Sequence, residues 1–96
     1  MTPEGQLLAD VTAFLRSEMK KGRCYYERRL AVGFGYKKGV PDIWFIKDGK
    51  HYELELKRLG GHRSTLQIKY EQIFKGLQVE YACVDTFDKF IEFYNK

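Results

Sequence analysis

The distribution of apolar residues predicts an α/β fold, a mixed central sheet flanked by helices in the order α-β-β-β-α-β-α. Three observations carry that prediction. Three separate stretches, led by Leu7, Leu66 and Phe87, repeat apolar residues at helical spacing. Short apolar or alternating runs lie between them, too short for helices. One pair of runs is joined by Lys47-Asp48-Gly49-Lys50, and Asp-Gly tolerates the positive φ angles of a tight hairpin turn.

The elements follow in order. The first helix begins near Pro3, with Thr2 as its N-cap and proline where a missing N–H costs nothing. Leu7, Leu8, Val11, Phe14 and Leu15 form its apolar face, and Gly22 ends it. Residues 24–32 read as a strand of mixed alternation. Residues 33–39 read as a loop with three glycines, two lysines and two aromatics. An apolar strand over 42–46 turns at Asp48-Gly49 and returns from His51 to about Arg58. A second loop covers 59–63. Ser64 then caps a helix with Leu66, Tyr70, Ile73, Phe74 and Leu77 on one side and Gly76 as its stop. A strand over 78–84 follows, and Asp85 caps a last helix through Phe87, Phe90, Ile91 and Tyr94.

Composition bounds the function. The 96 residues suit one domain, 1–96, and 44% hydrophobic content with 16% aromatic is too much for disorder. The net charge of +4 is spread in small basic clusters: Lys20, Lys21 and Arg23; Arg28 and Arg29; Lys37 and Lys38; Arg58 and Arg63. Such clusters suit a polyanion, although a charge of this size taken alone speaks to solubility first. Cys24 and Cys83 show no zinc spacing and are expected to be free, buried thiols in a reducing cytoplasm, bacterial or phage-infected. The amphipathic, acid-bearing N-terminus is neither a signal nor a transit peptide. No apolar run approaches the roughly 20 residues of a membrane span. No repeat, low-complexity tract or linker is present.

The chemistry concentrates in two short segments, Gly39-Val40-Pro41-Asp42 and Glu55-Leu56-Lys57. Strand alternation projects Glu53, Glu55 and Lys57 to one face and Tyr52, Leu54 and Leu56 to the other. Pairing about Asp48-Gly49 carries Asp42 to the neighbourhood of Glu55, so the hairpin itself brings two carboxylates together. Mg2+ and Mn2+ prefer such oxygen ligands, completed by water and phosphate. Lys57 can stabilise negative charge as it develops, and the Leu56 carbonyl is a further candidate ligand. Spacing leaves open whether Glu53 or Glu55 serves the metal. It also leaves open a plainer reading, in which Pro41-Asp42 is a turn and the charged strand face is solvated.

Glu4 in the first helix, Gly39-Val40-Pro41-Asp42, Glu55-Leu56-Lys57, and Ser64-Thr65-Leu66-Gln67 opening a later helix form an ordered series. It resembles the virus-type replication-repair nuclease domain (VRR-NUC), a branch of the PD-(D/E)xK nuclease superfamily, over residues 4–84. The resemblance implies a restriction-endonuclease-like PD-(D/E)xK core of the small stand-alone phage or bacterial type. It implies that Asp42, Glu55 and Glu4 bind Mg2+ or Mn2+ with the Leu56 carbonyl, that Lys57 is the catalytic lysine, and that Gln67 lies near the metal. The implied activity is metal-dependent DNA hydrolysis by a homodimer acting on branched DNA such as four-way junctions. The rivals are a non-catalytic DNA-binding or assembly module and a flap or single-strand nuclease.

Each residue also has a plainer role. Glu4 in a first helical turn favours the helix dipole. Gln67, three residues after Ser64, completes a capping box. Tyr36, Lys37 and Lys38 in the glycine-rich loop, with Arg58, His62 and Arg63 near the second loop, are the candidate DNA contacts.

Overall fold

The computed structural model describes residues 2–30, 38–57 and 60–96. Pro3 opens α1 (Pro3–Lys20), and the Thr2 hydroxyl accepts from the Gly5 N–H at 3.0 Å. The helix closes as expected at Gly22, whose φ of 74° lets the Gly22 and Arg23 N–H groups turn back onto Met19 and Glu18 carbonyls. Next come β1 (Tyr25–Arg28), β2 (Ile43–Lys47), β3 (Lys50–Leu56), α2 (Thr65–Gly76), β4 (Glu80–Val84) and α3 (Phe87–Tyr94). This is the expected element order. The sheet runs β1-β2-β3-β4, with antiparallel pairing up to β3 and β4 parallel to β3 across the α2 crossover. The fold is therefore α/β with a mixed sheet of four strands flanked by three helices.

Alternation divides the sheet into two unlike faces. One face presents Ile43, Phe45, Tyr52, Leu54, Leu56 and Val84, and it meets Leu7, Val11 and Leu15 of α1 and Phe90, Phe93 and Tyr94 of α3. Phe45 stacks on Tyr52 with ring centres 4.7 Å apart, and Phe14 meets Phe90 and Tyr94 edge-on at 5.5 and 5.0 Å. The other face presents Trp44, His51, Glu53, Glu55, Tyr81 and Cys83, partly covered by α2 through Phe74, which stacks on Tyr81 at 6.4 Å. The hairpin turn takes positive φ at Asp48 (53°) and Gly49 (75°), as the two-residue connection requires.

Several expectations shift. The described part of the first strand is shorter than 24–32: β1 ends at Arg28, and residues 31–37 lie outside the described residues. The second strand runs one residue later, and the third stops at Leu56. Gly76 is the last residue of α2 and not its left-handed stop; that conformation falls to Gln78 (φ 62°), whose N–H reaches the Lys75 carbonyl while Val79 N–H reaches Phe74. This delay moves the start of β4 to Glu80. The cap of α3 is Thr86, which accepts from Lys89 N–H at 3.2 Å; Asp85 instead pairs with the Lys89 ammonium at 2.9 Å. Both residue types can cap, and only Thr86 has the extended backbone directly before the helix. The apolar side expected for α2 is not buried: Leu66, Ile73 and Leu77 are exposed, and Tyr70 and Phe74 are half-buried. Cys24 and Cys83 are free but half-buried. No helix among the described residues is long and apolar enough to cross a membrane.

Candidate active site

The hairpin register is Ile43 opposite Leu54 and Ile46 opposite His51, which brings Asp42, one residue before β2, level with Glu55. Asp42 is held from both sides. Its Oδ2 accepts from the Leu56 N–H at 2.8 Å, and its carbonyl accepts from the Arg29 N–H at 2.7 Å. Pro41 before it is fully buried, and its ring fixes φ at the entry to the strand.

Glu55 is 3% exposed, and its Oε1 is buried without a hydrogen-bond partner among the described residues. Burial raises its carboxyl to about 9, the adjacent Asp42 pushes in the same direction, and Arg63 and Gln67 oppose both. A buried and a half-buried carboxyl group thus stand side by side at the end of the sheet where β2 begins and β3 finishes.

Glu53 and Glu55 differ in their partners. Glu53 is 1% exposed and already saturated: Arg29 grips both of its oxygens at 2.5 and 2.9 Å, and His51 Nε2 lies 2.6 Å from Oε2. Glu55 is the acid left beside Asp42. Neither glutamate sits on a solvated strand face.

Gln67 completes the expected capping box and also reaches Glu55. Its Oε1 accepts from the Ser64 N–H at 2.8 Å while Ser64 Oγ accepts from Gln67 N–H at 3.2 Å, and its side chain stands beside Glu55. Gly39 explains how the loop reaches this corner. It adopts φ 86°, and a Cβ there would stand 2.5 Å from the Leu66 Cβ, so the strand leading to Asp42 lies directly against the first turn of α2.

Glu4 does not complete a three-acid cluster. It is exposed in the first turn of α1, and among the described residues no three acidic, histidine or cysteine side chains stand together as an ion cage. It does line two grooves formed by the described residues at this end of the sheet. One groove, about 320 Å³, runs past Thr2, Glu4, Arg28, Arg29, Asp42 and Leu56. The other, about 260 Å³, runs past Glu4, Leu56, Lys57, Gly61, His62 and Gln67. Lys57 lines the second groove, which shares Glu4 and Leu56 with the groove past Asp42, and its N–H donates to the Val84 carbonyl at 3.0 Å.

The expected DNA contacts divide. Lys38 and His62 are exposed. Arg63 is not free for a phosphate: it pairs with Glu71, its Nη2 donates to the Tyr81 hydroxyl at 2.9 Å, and it stands over the Tyr81 ring. It forms part of the wall behind Glu55, because α2 brings Glu71 over the edge of β4. Tyr36, Lys37 and Arg58 lie outside the described residues. Sequence reasoning had placed Arg28 and Arg29 only in a basic cluster. The available signal was their position: a strand ending at Arg28 and paired to β2 sets Arg29 opposite Asp42. No family model, curated protein or solved structure matches the chain.

Proposed function

We propose that the chain is a Mg2+- or Mn2+-dependent DNA endonuclease of the VRR-NUC type within the PD-(D/E)xK superfamily. The observation that carries this reading is the Asp42–Glu55 pair, two adjacent carboxyl groups with one buried oxygen lacking a partner among the described residues. Facing acids with an oxygen left unpartnered are costly to bury, and a cation between them removes the cost. The donor set fits a hard divalent ion: Mg2+ takes one or two carboxylates and fills its remaining positions with water and phosphate, so Glu4 is not required as a direct ligand. Asp42 and Glu55 would hold the ion, with the Leu56 carbonyl beside them.

When bound, such an ion lowers the pKa of a coordinated water and neutralises charge on the phosphoryl oxygens. The protein's own residues do the rest. Lys57 stabilises the charge that develops on the attacked phosphate or orients the incoming water. Gln67 steadies the Glu55 carboxyl. Because both grooves share Glu4 and Leu56, one backbone strand can pass over the carboxylates, with Arg28 at one end and Lys57 and His62 at the other. Lys38, and by sequence Lys37 and Arg58, add cationic side chains, and Tyr36 adds by sequence an aromatic ring for stacking on a base.

A homodimer suits a chain this small, since two-fold symmetry supplies two sites for two strands of a branched substrate. The exposed Tyr25, Ile46, Leu66, Ile73 and Leu77 leave apolar surface for such a partner. A non-catalytic DNA-binding module is the second reading, favoured by the exposure of Glu4 and the absence of a three-acid cage among the described residues.

The test is cleavage of a labelled four-way junction, beside linear duplex and single strand, with Mg2+, Mn2+ or EDTA, by the native protein and Lys57→Ala. The expected result is metal-dependent junction cutting that Lys57→Ala abolishes. Cutting of another substrate keeps the chemistry and replaces the junction. Binding without cutting under any metal gives the case to the module.

A further inference from the structure

We propose that Arg29 and Glu53 form a clamp that positions the Asp42 carboxylate for its cation. The inference rests on the metal-site reading above and concerns two residues that hold Asp42 in place without binding the ion themselves. Arg29 makes bonds on both sides of residue 42. Its Nη1 donates to the Pro41 carbonyl at 3.1 Å, and its main-chain N–H donates to the Asp42 carbonyl at 2.7 Å. The Pro41 carbonyl belongs to the peptide that enters Asp42, and the Asp42 carbonyl belongs to the peptide that leaves it. One arginine therefore restrains both peptide planes that set the direction of the Asp42 side chain.

The arginine is itself fixed. Its guanidinium forks onto both Glu53 oxygens at 2.5 and 2.9 Å, and Glu53 is additionally met by His51 at 2.6 Å. His51 lies flat against Trp44, with ring centres 5.3 Å apart and planes 19° from parallel. The chain of support runs Trp44, His51, Glu53, Arg29, Pro41, Asp42, and it crosses three strands. A surface ion pair would contribute little to such an arrangement, but this carboxylate is buried and its geometry is bidentate. A pair that only tied β1 to β3 would have no need of the Pro41 carbonyl. Lysine cannot replace the fork, because a single ammonium cannot span two carboxylate oxygens and a carbonyl together.

Clamp and staple separate in one experiment: isothermal titration of Mn2+ into native protein, Arg29→Lys, the double variant Arg29→Met/Glu53→Met, and Asp42→Asn, each with its Tm measured without metal. Apolar replacement of a buried ion pair commonly preserves stability, so the double variant is expected to melt near the native temperature. Loss of a residue that orients a metal ligand costs about 10- to 100-fold in metal affinity. We expect that weakening in the double variant, a smaller loss in Arg29→Lys, and no binding in Asp42→Asn. Should the double variant fold poorly, Arg29→Lys, which retains the charge, carries the comparison. Native-like Mn2+ affinity in the variants overturns the clamp and leaves the metal site standing. Absence of Mn2+ binding by the native protein, or binding unaffected by Asp42→Asn, overturns both.

Discussion

The two faces of the sheet are built from the same strands and do opposite things. One face is a dry aromatic layer in which Phe45, Tyr52, Phe90 and Phe93 interlock beneath α1 and α3. The other, one residue out of phase, buries Glu53 and Glu55 among Trp44, His51, Arg29 and Arg63, under a helix that buries none of its own side chains. The first face is where stability is made. The second holds ionisable groups away from water, an arrangement that weakens a fold unless each charge has a partner. Glu53 has two partners and Glu55 Oε1 has none among the described residues, so the division between structure and candidate chemistry falls between two glutamates two residues apart.

That comparison can be broken most strongly on the dry face. Phe90→Ala is expected to cost ~3–5 kcal/mol in urea unfolding, whereas Trp44→Ala, removing a larger but half-exposed ring, should cost clearly less. Equal losses would mean that the two faces share the work of stability. Gly39→Ala comes next. It places a side chain in a left-handed conformation and against the backbone-attached Cβ of Leu66, and a loss of ~2 kcal/mol or more is expected together with loss of Mn2+ stabilisation. Wild-type melting and metal response in that variant would show that the loop does not depend on its contact with α2.

Glu55→Gln sharpens the comparison in the opposite direction. In the folded, metal-free protein Glu55 keeps its proton to about 9, against an ordinary value of 4.5. Between those values the unfolded chain releases a proton that the folded chain retains, so stability falls as pH rises through this window. Glu55→Gln cannot ionise; at pH 8 without metal it should be more stable than the native protein by ~1–3 kcal/mol, with no difference near pH 4. With saturating Mn2+ the order should reverse, since only the native site gains from the ion. Chemical denaturation at pH 4 and 8, with and without Mn2+, measures all four values. A smaller change is expected away from both faces. Gln78→Gly relieves a non-glycine residue at φ 62° and should add up to ~1 kcal/mol to thermal stability; a loss would mean that the Gln78 side chain contributes something besides the turn.

The sequence was most legible where local chemistry leaves one choice. Thr2-Pro3 starts a helix, Gly22 ends it, Asp48-Gly49 turns a hairpin, and Ser64 with Gln67 makes a capping box; each was found where the residues pointed. The hairpin also carried Asp42 to Glu55, because a two-residue turn and period-two strands leave little freedom in register. Legibility failed where two residues of similar chemistry compete. Asp85 and Thr86 can each cap, and Gly76 and Gln78 can each follow a helix; the choice depends on where the chain must go next.

Arg63 and Arg29 show the same limit at the site. Both are basic residues in a basic chain, and composition directs both toward a polyanion. The structure commits one to Glu71 and Tyr81 and the other to Glu53 and the Pro41 carbonyl. By itself, then, the sequence determined the element order, the α/β class and the meeting of Asp42 with Glu55, because turns, caps and alternation act over a few residues. Only the tertiary structure decided which glutamate keeps an oxygen without a partner among the described residues, which arginines are already engaged and which helix leaves its apolar side uncovered. Burial and pairing are set by residues far apart in the chain, and no local pattern records them.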